Sequence, residues 1–333
     1  MKRREFFLAA AMLASTMRHA IAQKSAPAKR LAWVSPNAKL ADMRIGGDPN
    51  AGVFLEELKR LGYVEGENLI IDRYTAEGRI ERYGDLAREV VSTRPDVIWS
   101  HGTPLTRQFK AATSTIPIVA FTGDPVRFGL IASLAHPGGN ITGVSADAGL
   151  EIWGKRLALL VEAVPKIAHA VFVGSPGTWE NPGGKSVQEV AQTLGISVVN
   201  APLGKVKDEA EYRRVFSSLQ RDQVDGIVFA EESETYTYRF LIVQLVEQLR
   251  VPAIYVYRDQ TEAGGLMSYS YDIKGAVRTN AKQIVEILRG ANPSEMPYEQ
   301  ATRFELVINL KTAKALGLDI PAGLIARADA VIE

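Results

Sequence analysis

Short runs of consecutive apolar residues alternate along this chain with longer stretches whose apolar positions recur every three or four residues. The runs predict strands at 31–35, 69–74, 97–100, 116–121 and 141–145, and again at 170–174, 197–201, 226–230 and 253–257. The helical period predicts helices near 51–61, 81–93 and 105–113, then near 184–194, 209–221 and 235–249. The strands are apolar throughout rather than alternating, which is the pattern of parallel sheets covered by helices on both faces. Two such series predict an α/β fold of two Rossmann-like lobes, separated where Pro137-Gly138-Gly139 breaks the pattern.

The end of the chain does not continue the second series. AGGLMSYSYD (263–272) reads as a flexible glycine turn, a short alternating strand and an aspartate that caps a helix over 273–289. A connector and a closing strand and helix (304–318) follow. This material is expected to cross back between the lobes, placing 29–143 plus 265–300 in lobe one and 144–264 plus 301–333 in lobe two. Several crossings of that kind make a hinge with a cleft between the lobes. Within the alternating strand, Tyr269 is expected to reach the cleft and Tyr271 to pack beneath the following helix.

The first residues change the picture. MKRREFFLAAAMLASTMRHAIAQ has a basic start, an apolar stretch too short to span a bilayer and Ala20-Ile21-Ala22 as a cleavage site. Residues 1–22 thus read as an export signal to the periplasm, and Arg3-Arg4 suggests the twin-arginine route. Removing them takes Lys2, Arg3, Arg4, Arg18 and Glu5, leaving 35 basic and 37 acidic residues, a net charge of −2. No basic patch for nucleic acid or a membrane surface stands out. The 333 residues include no cysteine, which excludes disulfides and thiolate-bound metals.

Ligands of open parallel sheets bind beyond the carboxyl ends of the strands. There the chain carries Ser35-Pro36-Asn37, His101-Gly102-Thr103-Pro104 and Thr122-Gly123-Asp124-Pro125 in the first series. The second carries Ser175-Pro176-Gly177, Glu231-Glu232-Ser233 and Tyr257-Arg258-Asp259. A hydroxyl or carboxylate followed by proline caps a helix, and the exposed N–H groups beyond it suit an anion. Ordinary capping explains any one of these loops, but their recurrence in both lobes points to a shared cleft. Asp124, Asp147, Glu231 and Glu232 can supply the counter-charge for an amino group, and Trp179, Tyr257, Tyr269 and Tyr271 can stack on a ring. The three histidines after the signal lie far apart in sequence, and no nucleophile elbow, phosphate loop or metal spacing occurs, so no cofactor or metal is expected.

LKRLGYVEGENLIID (58–72), PDVIWSHGTP (95–104), IPIVAFTGDPV (116–126), SLAHPGGNITGVS (133–145), VPAIYVYRDQTEAGGLMSYSYD (251–272) and FELVINLKTAKALGLDIP (304–321) carry a resemblance over nearly the whole mature chain. In order and spacing they resemble the periplasmic substrate-binding proteins of ABC transporters, in the subfamily related to tryptophan and aromatic amino-acid uptake. The resemblance implies a type I periplasmic-binding fold with three crossover segments, and delivery of a small molecule to permease subunits in the inner membrane. It implies a monomer that performs no chemistry and binds a small carboxylate-bearing molecule, an amino acid or aromatic acid. The contacts it implies are Ser35, Thr103, Asp124 and Ser145 in and beside lobe one, and Ser175, Glu231, Tyr257 and Tyr269 around lobe two. Amino-acid-binding relatives often carry Asp-Asn where this chain has Glu231-Glu232-Ser233. Two alternatives share the fold class: a periplasmic enzyme with Asp124 or Glu231 as acid or base, and a sugar-responsive transcription regulator. The second lacks a helix-turn-helix segment before Leu31.

Overall fold

The structure is a computed structural model that describes residues 27–146, 149 and 151–333. The expected export signal and Asp147 lie outside the described residues. Five parallel strands open the chain, β1 (Lys29–Ser35), β2 (Leu69–Thr75), β3 (Val97–His101), β4 (Ile118–Thr122) and β5 (Ile141–Ser145). They alternate with helices α1 (Pro49–Arg60), α2 (Tyr83–Ser92) and α3 (Thr103–Ala112). The second series holds α4 (Glu151–Ala163), β6 (His169–Gly174), α5 (Pro176–Glu180), α6 (Pro182–Leu194) and β7 (Ser197–Pro202). It continues through α7 (Glu209–Ser218), β8 (Gly226–Phe229), α8 (Ser233–Thr237), α9 (Arg239–Leu249), β9 (Ala253–Tyr255) and α10 (Arg258–Glu262). After these come β10 (Met267–Tyr271), α11 (Ile273–Leu288), β11 (Glu299–Gln300) and β12 (Phe304–Asn309), then α12 (Leu310–Ala315), α13 (Ala322–Ile325) and β13 (Ala330–Ile332).

Two sheets result. One has the order β11-β5-β4-β3-β1-β2 and the other β13-β12-β10-β9-β8-β6-β7. All pairings are parallel except β10 with β12. The central strands are buried along their length because helices cover both faces of each sheet, and each sheet has a separate apolar cluster on either side.

Local chemistry sets the helix starts. Asp48 accepts from the Asn50 amide with Pro49 in the first turn, and Asp272 accepts from Gly275 N at 2.8 Å. The turn before β10 needs both its glycines. Gly264 has φ +114°, and a Cβ on Gly265 would stand 2.5 Å from the Tyr255 ring.

The chain passes between the sheets three times, after β5, between β10 and α11, and between β11 and β12. These positions differ from the expected 143/144 and 264/265 divisions. β5 runs on to Ser145 within the first sheet, where Ser145 faces Thr122 in register. β10, expected in lobe one, lies in the second sheet between β9 and β12, and the chain first returns to lobe one at α11. The reason is backbone pairing: Met267 and Ser268 meet Ile254 and Tyr255, and the whole strand pairs with β12 on its other edge. Removing β10 would leave both neighbours with open edges in the middle of a sheet. Helix α11 then packs on α1 and the first sheet through Val277, Ala281, Ile284 and Val285.

Candidate functional site

The carboxyl ends of both sheets face one another across a cavity of about 580 Å³. On the lobe-one side, the parallel register places Trp33 directly beside Trp99. Their rings lie 5.0 Å apart, and Phe54 stacks behind Trp99 at 3.6 Å. The Trp99 indole N–H donates to Asn280 Oδ1 at 3.2 Å, which fixes the ring. His101, at the end of β3, sits edge-on to Trp99 at 4.3 Å, and Phe121 ends the same wall. Burial drives the His101 pKa down to about 4, only partly opposed by Asp48, so the ring is neutral at pH 7.

Lobe two contributes Glu231, Tyr236, Arg239, Tyr257 and Tyr271. Tyr236 and Tyr257 meet edge to face at 5.0 Å, and Tyr271 approaches Phe121 of lobe one at 5.8 Å. Burial, reinforced by the Glu231 charge, pushes the Tyr257 and Tyr271 hydroxyls well above the ordinary tyrosine range. Glu231 is held from behind by Arg156, a fully buried arginine that donates Nη2 to Glu231 Oε2 at 2.8 Å and Nε to the Tyr269 carbonyl at 2.7 Å. A buried guanidinium is tolerated only when it is paired in this way.

Polar contacts join the lobes around the cavity. Arg239 donates to Asp48 across the gap, between the rings of Tyr236 and Phe240 at 4.1 and 4.4 Å from its guanidinium carbon. Tyr236 Oη donates to Asp48 at 3.1 Å and accepts from Asn50 Nδ2 at 2.7 Å. Asn37 Nδ2 donates to Thr237 Oγ1 at 2.6 Å and to the Ser233 carbonyl at 3.0 Å. The two carboxyl-end surfaces are therefore in contact, with the cavity lying between them.

Of the residues expected from sequence, Ser35, Glu231 and Tyr257 line the cavity. Thr103, Asp124, Ser145 and Ser175 are not among the lining residues; their side chains bond to their own or a neighbouring loop. Thr103 Oγ1 accepts from Gly123 N at 3.2 Å, and Ser145 Oγ donates to the Gly123 carbonyl at 3.1 Å. Asp124 Oδ1 accepts from the amides of Val126 and Arg127 at 3.0 and 2.9 Å. Ser175 caps α5 and donates to Glu232 Oε1 at 2.7 Å. Burial opposes ionisation of Glu232, yet the bonds from Thr178, Lys207 and Ser175 prevail and hold its pKa below the usual range.

Tyr269 is half-buried against Phe304 and the lobe-two core, with ring centroids 5.9 Å apart, and Trp179 packs on Phe172. The cavity takes Tyr271 instead, since only the last residue of a strand reaches beyond its carboxyl end. Sequence reasoning missed Asp48, Asn50 and Tyr236. Asp48-Pro49 carries the same capping signature as the other loops, but twelve residues separate it from the end of β1, so its place at the strand ends is not visible in the sequence.

A family model described as ABC transporter substrate binding protein matches residues 48–332. The chain belongs to that family. This substrate-binding protein is 24% identical over 267 residues to a protein of Clostridioides difficile (strain R20291) named tyrosine-binding protein, covering 80% of this chain and 75% of that one. Among solved structures, a conserved domain protein of Vibrio cholerae has 27% identity and TM-score 0.75, covering 91% and 99% of the two chains. A Streptococcus pneumoniae structure solved in complex with L-Trp has 22% identity and TM-score 0.73, covering 92% and 100%. The type I periplasmic-binding fold and a role in binding a small ligand for a membrane permease follow from the family. Among the described residues no helix is long and apolar enough to cross a membrane.

Proposed function

We propose that this substrate-binding protein is exported to the periplasm, where it captures a small aromatic, carboxylate-bearing molecule, with an amino acid favoured, and releases it unchanged to the permease. The observation that carries the reading is the interlobe cavity, walled by Trp33, Trp99, His101 and Phe121 on one side and by Tyr236, Tyr257 and Tyr271 on the other. Such walls give an aromatic ring apolar area and edge-to-face partners at once. The names of two relatives, one a tyrosine-binding protein and one solved with L-Trp, support the same class. The lobes close about the three connecting segments as a hinge, and a monomer suffices because both cavity walls come from one chain. Residues 1–22 direct export, with Arg3-Arg4 favouring the twin-arginine route.

The test is a thermal-shift and calorimetric screen of the mature protein against aromatic amino acids, aliphatic amino acids and pentoses. An aromatic amino acid at 100 times its dissociation constant should raise stability by about 2.7 kcal/mol. Mass spectrometry of the recovered ligand should find it intact. Stabilisation by pentoses alone would overturn the reading.

A further inference from the structure

We infer that Arg73, which does not itself line the cavity, is a positioning residue for the ligand. It holds the Trp33 ring and the segment 39–47 in the places from which they wall the site. This rests on the aromatic-ligand reading above and adds to it the group that keeps the lobe-one wall in shape.

The observation is a row of side chains across the first sheet. In the parallel register Trp33 of β1 stands beside Trp99 of β3 on one side and beside Arg73 of β2 on the other. Residues in register on neighbouring strands point to the same face, so the three form one continuous row. Asn280 fixes the Trp99 end. At the other end the Arg73 guanidinium carbon lies over the Trp33 ring, 5.7 Å from its centroid, within the range of a cation–π contact.

The same guanidinium reaches past the sheet. Its Nε donates to the Met43 carbonyl at 2.6 Å and its Nη1 to the Ile71 carbonyl at 3.2 Å. Nη1 and Nη2 also donate to Glu65 Oε1 and Oε2, at 2.5 and 2.7 Å. A planar fork engaged on all these sides has little freedom to turn. The Met43 bond matters most for the site. Residues 39–47 supply Lys39, Asp42, Met43 and Gly47 to the cavity lining and lead into Asp48. Among the described residues, their other hydrogen bonds run within the segment or to Asp48, as from Gly47 N to the Arg44 carbonyl at 3.0 Å. Arg73 is thus their hydrogen-bonded tie to the sheet, and a charge-assisted bond of this kind is among the stronger ones. The Arg73 side chain is only 21% exposed, so water competes little for it.

The experiment is titration calorimetry of the purified protein and three variants with L-tryptophan and L-tyrosine, at a temperature where melting curves show each to be folded. Hydrogen exchange across 39–47 is followed in the same samples without ligand. Arg73→Met keeps an apolar stem and removes every donor, so it should weaken both ligands about tenfold and speed exchange across the segment. Arg73→Lys keeps a charge beside Trp33 without the fork and should recover part of this, binding about threefold more weakly than the parent. Glu65→Gln retains an acceptor for the guanidinium and its contacts with Met43 and Trp33, so its loss should not exceed about threefold.

A folded Arg73→Met variant that binds L-tryptophan within about twofold of the parent would overturn the inference and leave the aromatic reading intact. Unchanged exchange across 39–47 would overturn it as well. So would a loss in Glu65→Gln as large as in Arg73→Met, since the effect would then belong to the ion pair alone. If Arg73→Met does not fold, Arg73→Lys carries the test, and unweakened binding there overturns the inference. If neither amino acid binds the parent, the aromatic reading and this inference fall together.

Discussion

His101 closes β3 with its ring against Trp99, held neutral by burial down to about pH 4. In the unfolded chain a histidine takes up its proton near pH 6.5. Between these values the unfolded state binds a proton that the folded state refuses, so stability falls as the pH drops from 6.5 toward 4. The slope from this one group is at most about 1.4 kcal/mol per pH unit. His101→Phe keeps an aromatic ring on Trp99 and removes the titration. Melting curves at pH 6.5, 5.5 and 4.5 should show a shallower acid-side loss in the variant than in the parent. Equal slopes in the two proteins would mean that His101 is solvated.

At the scale of the strand, β10 separates two tyrosines with different work. Tyr271 is the last strand residue and borders the cavity beside Tyr257, whereas Tyr269 lies over the lobe-two core. Tyr271→Leu should weaken L-tryptophan binding by about tenfold or more through the lost aromatic surface. Tyr269→Leu should leave the affinity within about twofold and lower the melting temperature instead, with a cost of about 1–2 kcal/mol. Calorimetry and thermal melts of the pair separate the two roles. The sequence made both strand series legible, because fully covered parallel strands leave continuous apolar runs. It made Ser35, Glu231 and Tyr257 legible as well, since each ends a strand or follows one within two residues. What it left ambiguous was which of the capping loops borders the cavity, since Ser35 Oγ also accepts from an amide of its own loop, that of Ala38. Asp124 and Ser175 carry the same signature as Ser35, and only the packing of neighbouring loops decides which of them lies at the cavity. The sheet to which β10 belongs was hidden for a related reason. Its partners β9 and β12 lie at quite different separations along the chain, and local alternation carries no trace of which edge is free.

At the scale of the whole molecule, three connecting segments join the lobes, and contacts across the cavity hold them together. Asp48 is the centre of those contacts, accepting from Arg239 and Tyr236 of lobe two while capping α1 of its own lobe. On the hinge opening proposed above, Arg239 would keep a second carboxylate, Asp259, which stands 3.4 Å away on its own side. The arginine therefore exchanges one acid for another rather than being left bare, so opening does not incur the full cost of a stranded buried charge. A balance of this kind suits a receptor that must both close and reopen, since a ligand shifts the equilibrium only by its differential affinity for the two states. Asp48→Asn isolates the contribution, because asparagine caps a helix as well as aspartate does and only the charge is lost. For a partly buried pair the loss should be about 1–2 kcal/mol of closure energy. In solution scattering without ligand, the variant should show a larger radius of gyration than the parent, and saturating L-tryptophan should bring the two together. Identical radii without ligand would show that the Asp48–Arg239 contact does not bias the lobes toward closure.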